Sequence, residues 1–133
     1  MVNSRNKGAT AEREVSKLLY DELGIKLIRN LEQSRSGGHD LTPEQSGGLL
    51  DGYAIEVKRY AKITTSLLRG FWLQACEQAK RANKVPVLIY RQDRQDWLTV
   101  IPLHQINPAL SESNSFDSVA ILNLSAFCAV VRG

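Results

Sequence analysis

The chain is poor in the residues that build disulfide frameworks and zinc sites, with two cysteines and two histidines in 133 residues. Cys76 and Cys128 lie far apart and lack metal-ligand spacing, so two reduced thiols in a cytoplasmic protein are expected, not a disulfide or a cysteine-based metal site. Long hydrophobic runs are also missing. No stretch approaches the roughly 20 apolar residues of a membrane span, and none follows the polar start Met-Val-Asn-Ser-Arg-Asn-Lys7, so neither a membrane nor a secretory signal is expected. Internal repeats and low-complexity segments are absent. What remains, 43% hydrophobic and 23% charged residues, is the composition of one soluble globular domain over residues 1–133.

Acid is scarce where base is concentrated. The net charge is +3 and the pI about 9.0, a mild indication of an anionic partner. Between residues 57 and 91, Lys58, Arg59, Lys62, Arg69, Lys80, Arg81, Lys84 and Arg91 face the single acid Glu77. A solvated helix face explains part of this run. Its position beside a candidate carboxylate site favours a phosphate backbone as partner.

That site centres on Tyr53-Ala-Ile-Glu-Val-Lys-Arg59. Tyr53, Ile55 and Val57 alternate with Ala54, Glu56 and Lys58, the period of a β-strand with one buried face. Glu56 and Lys58 then share a side, roughly 6.5–7 Å apart at Cα. A carboxylate fixed beside an ammonium can bind a hard divalent cation and steady a developing negative charge, although an isolated Glu-x-Lys is more often a surface ion pair. Upstream, the glycine-rich turn Arg35-Ser-Gly-Gly-His-Asp-Leu41 delivers Asp40 to a second strand, and a hairpin would bring Asp40 level with Glu56. Asp51 is a rival for this role, but the turn dipeptide Asp51-Gly52 gives it a structural reason to exist.

The chain reads in order as follows. Residues 1–6 are polar and loose. Residues 10–23 form an amphipathic helix with Ala11, Val15, Leu18, Leu19 and Leu23 on one stripe, Glu12 on its border and Gly24 as its C-terminal cap. Residues 25–28 form a short strand. The loop 29–38 carries Arg29 and Arg35, placed to touch phosphate if it borders the site. A strand starts at Asp40, and the next spans 53–59. A helix near 66–83, with Ser66 as a possible N-cap, buries Leu68, Phe71, Trp72, Ala75 and Ala79, with Gln74 and Gln78 on the stripe's edge. Val87–Tyr90 is apolar and central, and 97–101 follows after a polar hairpin. Beyond a polar linker, 119–122 reads as an edge strand and 125–131 as a short apolar helix. The order predicts an α/β sandwich, a mixed sheet flanked by helices.

At these residues the sequence resembles the PD-(D/E)xK nucleases of the restriction-endonuclease-like fold. It is most similar to small phage and prophage nucleases related to archaeal Holliday-junction resolvases. The resemblance rests on Lys7-Gly-x-x-x-Glu12, Ser36-Gly-Gly-x-Asp40, Leu50-x-Gly-Tyr-x-Ile-Glu-Val-Lys-Arg59, Trp72-x-Gln-Ala75 with Gln78-Ala79, and Val85-Pro-Val-Leu-Ile-Tyr-Arg91 followed by Trp97. These pieces stand in the expected order over about residues 7–101, with 102–133 as an extension. The family's proline is replaced by His39. The resemblance implies an α-β-β-β-α-β-β core and a metal-dependent endodeoxyribonuclease. In that reading Asp40, Glu56 and the Val57 carbonyl hold Mg²⁺, for which Mn²⁺ can substitute, and Lys58 acts on the attacking water or the transition state. It also implies that Glu12 assists the metal and that one glutamine, Gln74 before Gln78, orients water or phosphate. Arg29, Arg35, Arg59, Lys62 and Gln78 become candidate DNA contacts. The expected partner is branched or duplex DNA, with a homodimer if junctions are cut by paired nicks. Flaps, forks and general nicking stay open, as do a non-catalytic DNA-binding module and an interaction protein using its apolar tail.

Overall fold

A computed structural model describes residues 4–30 and 40–133. Arg35, His39 and the rest of the glycine-rich turn lie outside the described residues. The elements are α1 (Ser4–Leu23), β1 (Leu27–Arg29), β2 (Leu41–Pro43), β3 (Tyr53–Tyr60), α2 (Thr65–Ala82), β4 (Val85–Gln92), β5 (Leu98–Pro102), β6 (Val119–Asn123) and α3 (Leu124–Arg132). One six-stranded sheet runs β1-β2-β3-β4-β5-β6. Only β3 and β4 are parallel, with Glu56 opposite Leu88 and Lys58 opposite Tyr90. A parallel neighbour requires a long crossover, and α2 supplies it. The order α1-β1-β2-β3-α2-β4-β5 is the expected α-β-β-β-α-β-β arrangement, a mixed sheet with flanking helices.

Helices cover both sheet faces. On one side Ala11, Val15 and Leu19 of α1 pack with Phe127 and Cys128 of α3 over Ile55, Val57, Val87 and Ile89. On the other, Leu68, Phe71, Trp72 and Ala75 of α2 cover Leu88, Tyr90 and Val100. This corrects the expectation of one buried face on β3. Ala54, Ile55, Glu56 and Val57 are all buried, because a strand in the middle of a doubly covered sheet has no solvent side.

The element boundaries shift for local reasons. α1 begins at Ser4, before its apolar stripe does, so residues 4–6 are helical where loose chain was expected. Gly24 ends it with φ +70°, the left-handed conformation glycine tolerates, and its N–H donates to the Tyr20 carbonyl at 2.8 Å. α2 is capped by Thr64 in place of Ser66: the Thr64 hydroxyl accepts the Leu67 N–H at 3.2 Å. Arg29 closes β1 and does not open a loop. Trp72 is fully buried core, and both cysteines are free thiols.

The tail completes the domain. β6 pairs with β5 along its five residues, from Leu98↔Asn123 to Pro102↔Val119, and α3 returns to the α1 side. Between them, the Asn114 carbonyl accepts the Trp72 indole N–H at 2.7 Å, tying the linker to α2.

Candidate active site

β3 supplies the centre of the site as an interior strand, with β2 on one side and β4 on the other. β2 meets it with Leu41 opposite Ile55, and the Asp40 N–H donates to the Ile55 carbonyl at 2.9 Å. Asp40 therefore stands level with Glu56, as the hairpin argument requires. Its Oδ2 accepts the Val57 N–H at 2.8 Å, and its charge is near enough to raise the Glu56 carboxyl. Asn30, which the sequence reading did not single out, donates its N–H to the Asp40 carbonyl at 2.9 Å and its side-chain amide to Thr42. It locks β1 to β2 beneath Asp40. A lone Asn after a strand carries no signal that sequence could reveal.

Glu56 is 3% exposed, and its Oε1 lies 3.2 Å from Lys58 Nζ. Its Oε2 is buried and has no hydrogen-bond partner among the described residues. Burial pushes the Glu56 carboxyl up to about 8, the nearby Asp40 charge pushes the same way, and Lys58 opposes both. Lys58 Nζ also lies 5.3 Å from the centre of the Phe71 ring of α2. The ammonium is thus held between a carboxylate and an aromatic face.

Two crowded carboxyls with an unpaired buried oxygen suit a hard divalent cation. Val57 adds a third donor, because the N–H and C=O of one strand residue point to the same edge and its N–H already faces Asp40. Among the described residues no three acidic, histidine or cysteine side chains gather closely enough to cage an ion. Two carboxylates, a carbonyl and remaining waters match the coordination habit of Mg²⁺.

The other expected residues divide. Glu12 on α1 lies close enough for the Asp40 charge to raise its carboxyl, after burial, which raises it most; Arg29 opposes at 3.0 Å. It borders the carboxylate pair as a third acid, and Arg29 is held by it and not presented outward. Asp51 sits in the turn before β3, its N–H donating to the Gly48 carbonyl at 3.1 Å, at the opposite end of the strand from Lys58. Gln74 is exposed, whereas Gln78 is buried and its Oε1 has no hydrogen-bond partner among the described residues. Arg59 pairs with Asp93 at 3.4 Å, while Lys62 is exposed just past β3. Glu14, also not singled out, accepts from Arg91 at 2.6 Å and from the Trp97 indole at 2.7 Å, fastening α1 to β4 and the start of β5.

The profile of the family described as "Phage putative PDDEXK endonuclease" matches residues 3–125. Protein D14 of Escherichia phage T5 is 29% identical over 115 residues, covering 75% of this chain and 71% of that protein. The structure of Hjc, a Holliday junction resolvase from Archaeoglobus fulgidus, superposes with a TM-score of 0.49 at 17% identity, covering 91% of this chain and 87% of that one.

Proposed function

Because the chain belongs to the phage PDDEXK endonuclease family, we propose that it is a Mg²⁺-dependent DNA endonuclease whose site is Asp40, Glu56 and Lys58. One observation carries the assignment: the Asp40 carboxylate, seated on the Val57 N–H, adjoins Glu56, which meets the Lys58 ammonium through one oxygen and keeps the other buried with no hydrogen-bond partner among the described residues. A carboxyl pair kept only for packing has no reason to leave an oxygen unpaired, since the cost is on the order of 1–3 kcal/mol.

Asp40, Glu56 and the Val57 carbonyl would hold the cation. When bound, it supplies Lewis acidity that neutralises phosphate charge and makes a nearby water more acidic. The chain's own groups do the rest. The Asp40–Glu56 pair retains a proton until a cation replaces it. Lys58 donates hydrogen bonds to the attacking water or to the charge building on the phosphate, and Glu56 and Phe71 fix where its ammonium points. Water oxygen bonds to phosphorus and the 3′-oxygen leaves with a proton, giving 5′-phosphate and 3′-hydroxyl ends. Glu12 orders water at the rim, and one glutamine of α2, Gln74 before Gln78, orients water or phosphate. Lys62 and Arg35 meet the DNA backbone, whereas Arg29 and Arg59 are held by Glu12 and Asp93. Mn²⁺ substitutes for Mg²⁺. The protein acts in the cytoplasm of a phage-infected or lysogenic cell.

Structure-selective cutting is the finer reading, with four-way junctions first among substrates and a homodimer placing two sites. The ordered motifs, Lys7 to Trp97, support it. The test is cleavage of a labelled four-way junction, a flap, a linear duplex and a single strand, in Mg²⁺ or EDTA, by wild type and Glu56→Ala. Paired nicks on the junction alone, lost in the variant and in EDTA, support a resolvase. Cutting of several substrates supports a general nicking nuclease. Binding without cutting in Mg²⁺ or Mn²⁺ overturns the enzyme assignment in favour of a DNA-binding module.

A further inference from the structure

β3 does not stop at Lys58. Two residues further on the same side lies Tyr60, roughly 7 Å along the strand and 44% exposed. Its ring packs on Phe71 of α2, centroids 5.1 Å apart and planes tilted by 37°, and the same Phe71 ring carries the Lys58 ammonium. One buried aromatic therefore positions both a candidate catalytic cation and an exposed aromatic face. Surface tyrosines are ordinarily loose at the backbone, but this one is not. Its carbonyl accepts the Asp93 N–H at 3.1 Å, and three residues later the Ile63 N–H donates to the Gln92 side chain at 2.8 Å. The next exposed cation, Lys62, and the partly exposed Leu67 at the start of α2 lie beyond it.

We infer that Tyr60 is a stacking platform for an unpaired nucleobase two steps along from the phosphate handled by Lys58, so that the site selects DNA with bases out of the helix. The inference rests on the endonuclease reading and names its substrate class. About 7 Å from Lys58 corresponds to two base steps of about 3.4 Å. A base face can meet a flat ring only when neither stacking nor pairing hides it, so a continuous duplex gains nothing from Tyr60. An aromatic left this exposed and this firmly backed is already ordered for stacking and loses little freedom when a base arrives. Lys62 supplies the charge for the backbone that carries that base.

The experiment has two readouts. The first is cleavage in Mg²⁺ of a duplex containing a short bulge against the same duplex fully paired, for wild type, Tyr60→Ala, Tyr60→Leu, Tyr60→Phe and Tyr60→Trp. The second is quenching of 2-aminopurine in a single-stranded oligonucleotide bound in Ca²⁺. The bulge-to-duplex cleavage ratio should fall about tenfold in Tyr60→Ala and Tyr60→Leu, within the range of one base–aromatic stack, and recover in Tyr60→Phe and Tyr60→Trp. Quenching should follow the same division. Leucine keeps apolar packing on Phe71 and removes only the ring face, so it separates stacking from support of Lys58. If Tyr60→Ala and Tyr60→Leu slow both substrates equally and quenching persists, Tyr60 merely supports Lys58 and the inference is overturned. Variants indistinguishable from wild type overturn it as well. If wild type cuts neither substrate and no four-way junction or flap either, the endonuclease reading fails, and quenching alone decides whether Tyr60 stacks bases. Absence of both cutting and quenching removes both.

Discussion

Glu56 is an acid that the fold keeps protonated near neutrality. Its carboxyl rises from the ordinary 4.5 to about 8, through burial first and Asp40 second. The sign of the consequence follows from linkage. Between those values the unfolded chain has released the proton and the folded chain still holds it. Metal-free protein therefore loses stability as pH rises from about 4.5 to about 8, with the full penalty present above that. Glu56→Gln cannot ionise, so in EDTA at pH 8 it should melt higher than wild type by at least about 3 °C, and by much less at pH 5. Thermal melts at the two pH values check this, and equal differences at both would remove the buried acid as the cause. Mg²⁺ should stabilise wild type but not Glu56→Gln. For Lys58, Lys58→Ala should lower kcat/KM by about 10²–10³-fold, the scale of one lost transition-state donor, while Kd for DNA in Ca²⁺ changes by less than about threefold. A parallel loss of affinity would make Lys58 a backbone contact.

At the scale of elements, periodicity identified most of what positions these residues. The stripe Ala11, Val15, Leu19 gave α1, and the alternation from Tyr53 gave β3, because an amphipathic pattern records which face is buried. What periodicity cannot record is a neighbour far away in sequence. The second buried face of β3 depends on α2 closing over it, and the burial of Gln78 but not Gln74 depends on the roll of that helix. Asp40 was legible because a hairpin is local. The Asn30 clamp was not, since it has meaning only once β1 and β2 are paired. Glu14 belongs to the same class. It lies beside the stripe as an ordinary helix acid, yet it accepts from both Arg91 and Trp97 across the sheet. Glu14→Ala leaves both donors without their partner and should cost about 2 kcal/mol in urea unfolding, with Glu14→Gln costing less because an amide oxygen can still accept from the indole. Equal losses in the two variants would mean that packing, not hydrogen bonding, holds α1 at this point.

On the scale of the whole molecule, charge and core were read with different success. The basic run from Lys58 to Arg91 suggested a broad phosphate-facing surface, but Arg59, Arg69 and Arg91 form ion pairs with Asp93, Asp117 and Glu14. Composition cannot distinguish an arginine held by a distant acid from one turned to solvent. The tail shows the opposite. Its apolar residues, which suit either a cover for the sheet or a subunit contact, pack on the sheet: β6 closes the β5 edge, and α3 inserts Phe127 and Cys128 into the same core as Val15 and Ile55. Ser125 and Arg132 contact Glu22 at 2.7 Å and 3.7 Å and hold α3 against the end of α1. If this is one cooperative core, damage at Phe127 must be felt globally although it lies outside the 7–101 segment that carries the motifs. Phe127→Ala removes a fully buried ring and should cost about 3–5 kcal/mol, lowering Tm by roughly 10 °C or more. Leu110→Ala, in the linker and 43% exposed, should stay within about 0.5 kcal/mol. Unfolding of Phe127→Ala should remain a single transition by both far-UV circular dichroism and tryptophan fluorescence, since Trp72 and Trp97 sit on opposite faces of the sheet and each reports one half of the core. Two separated transitions would instead show that the tail folds onto a core already stable without it.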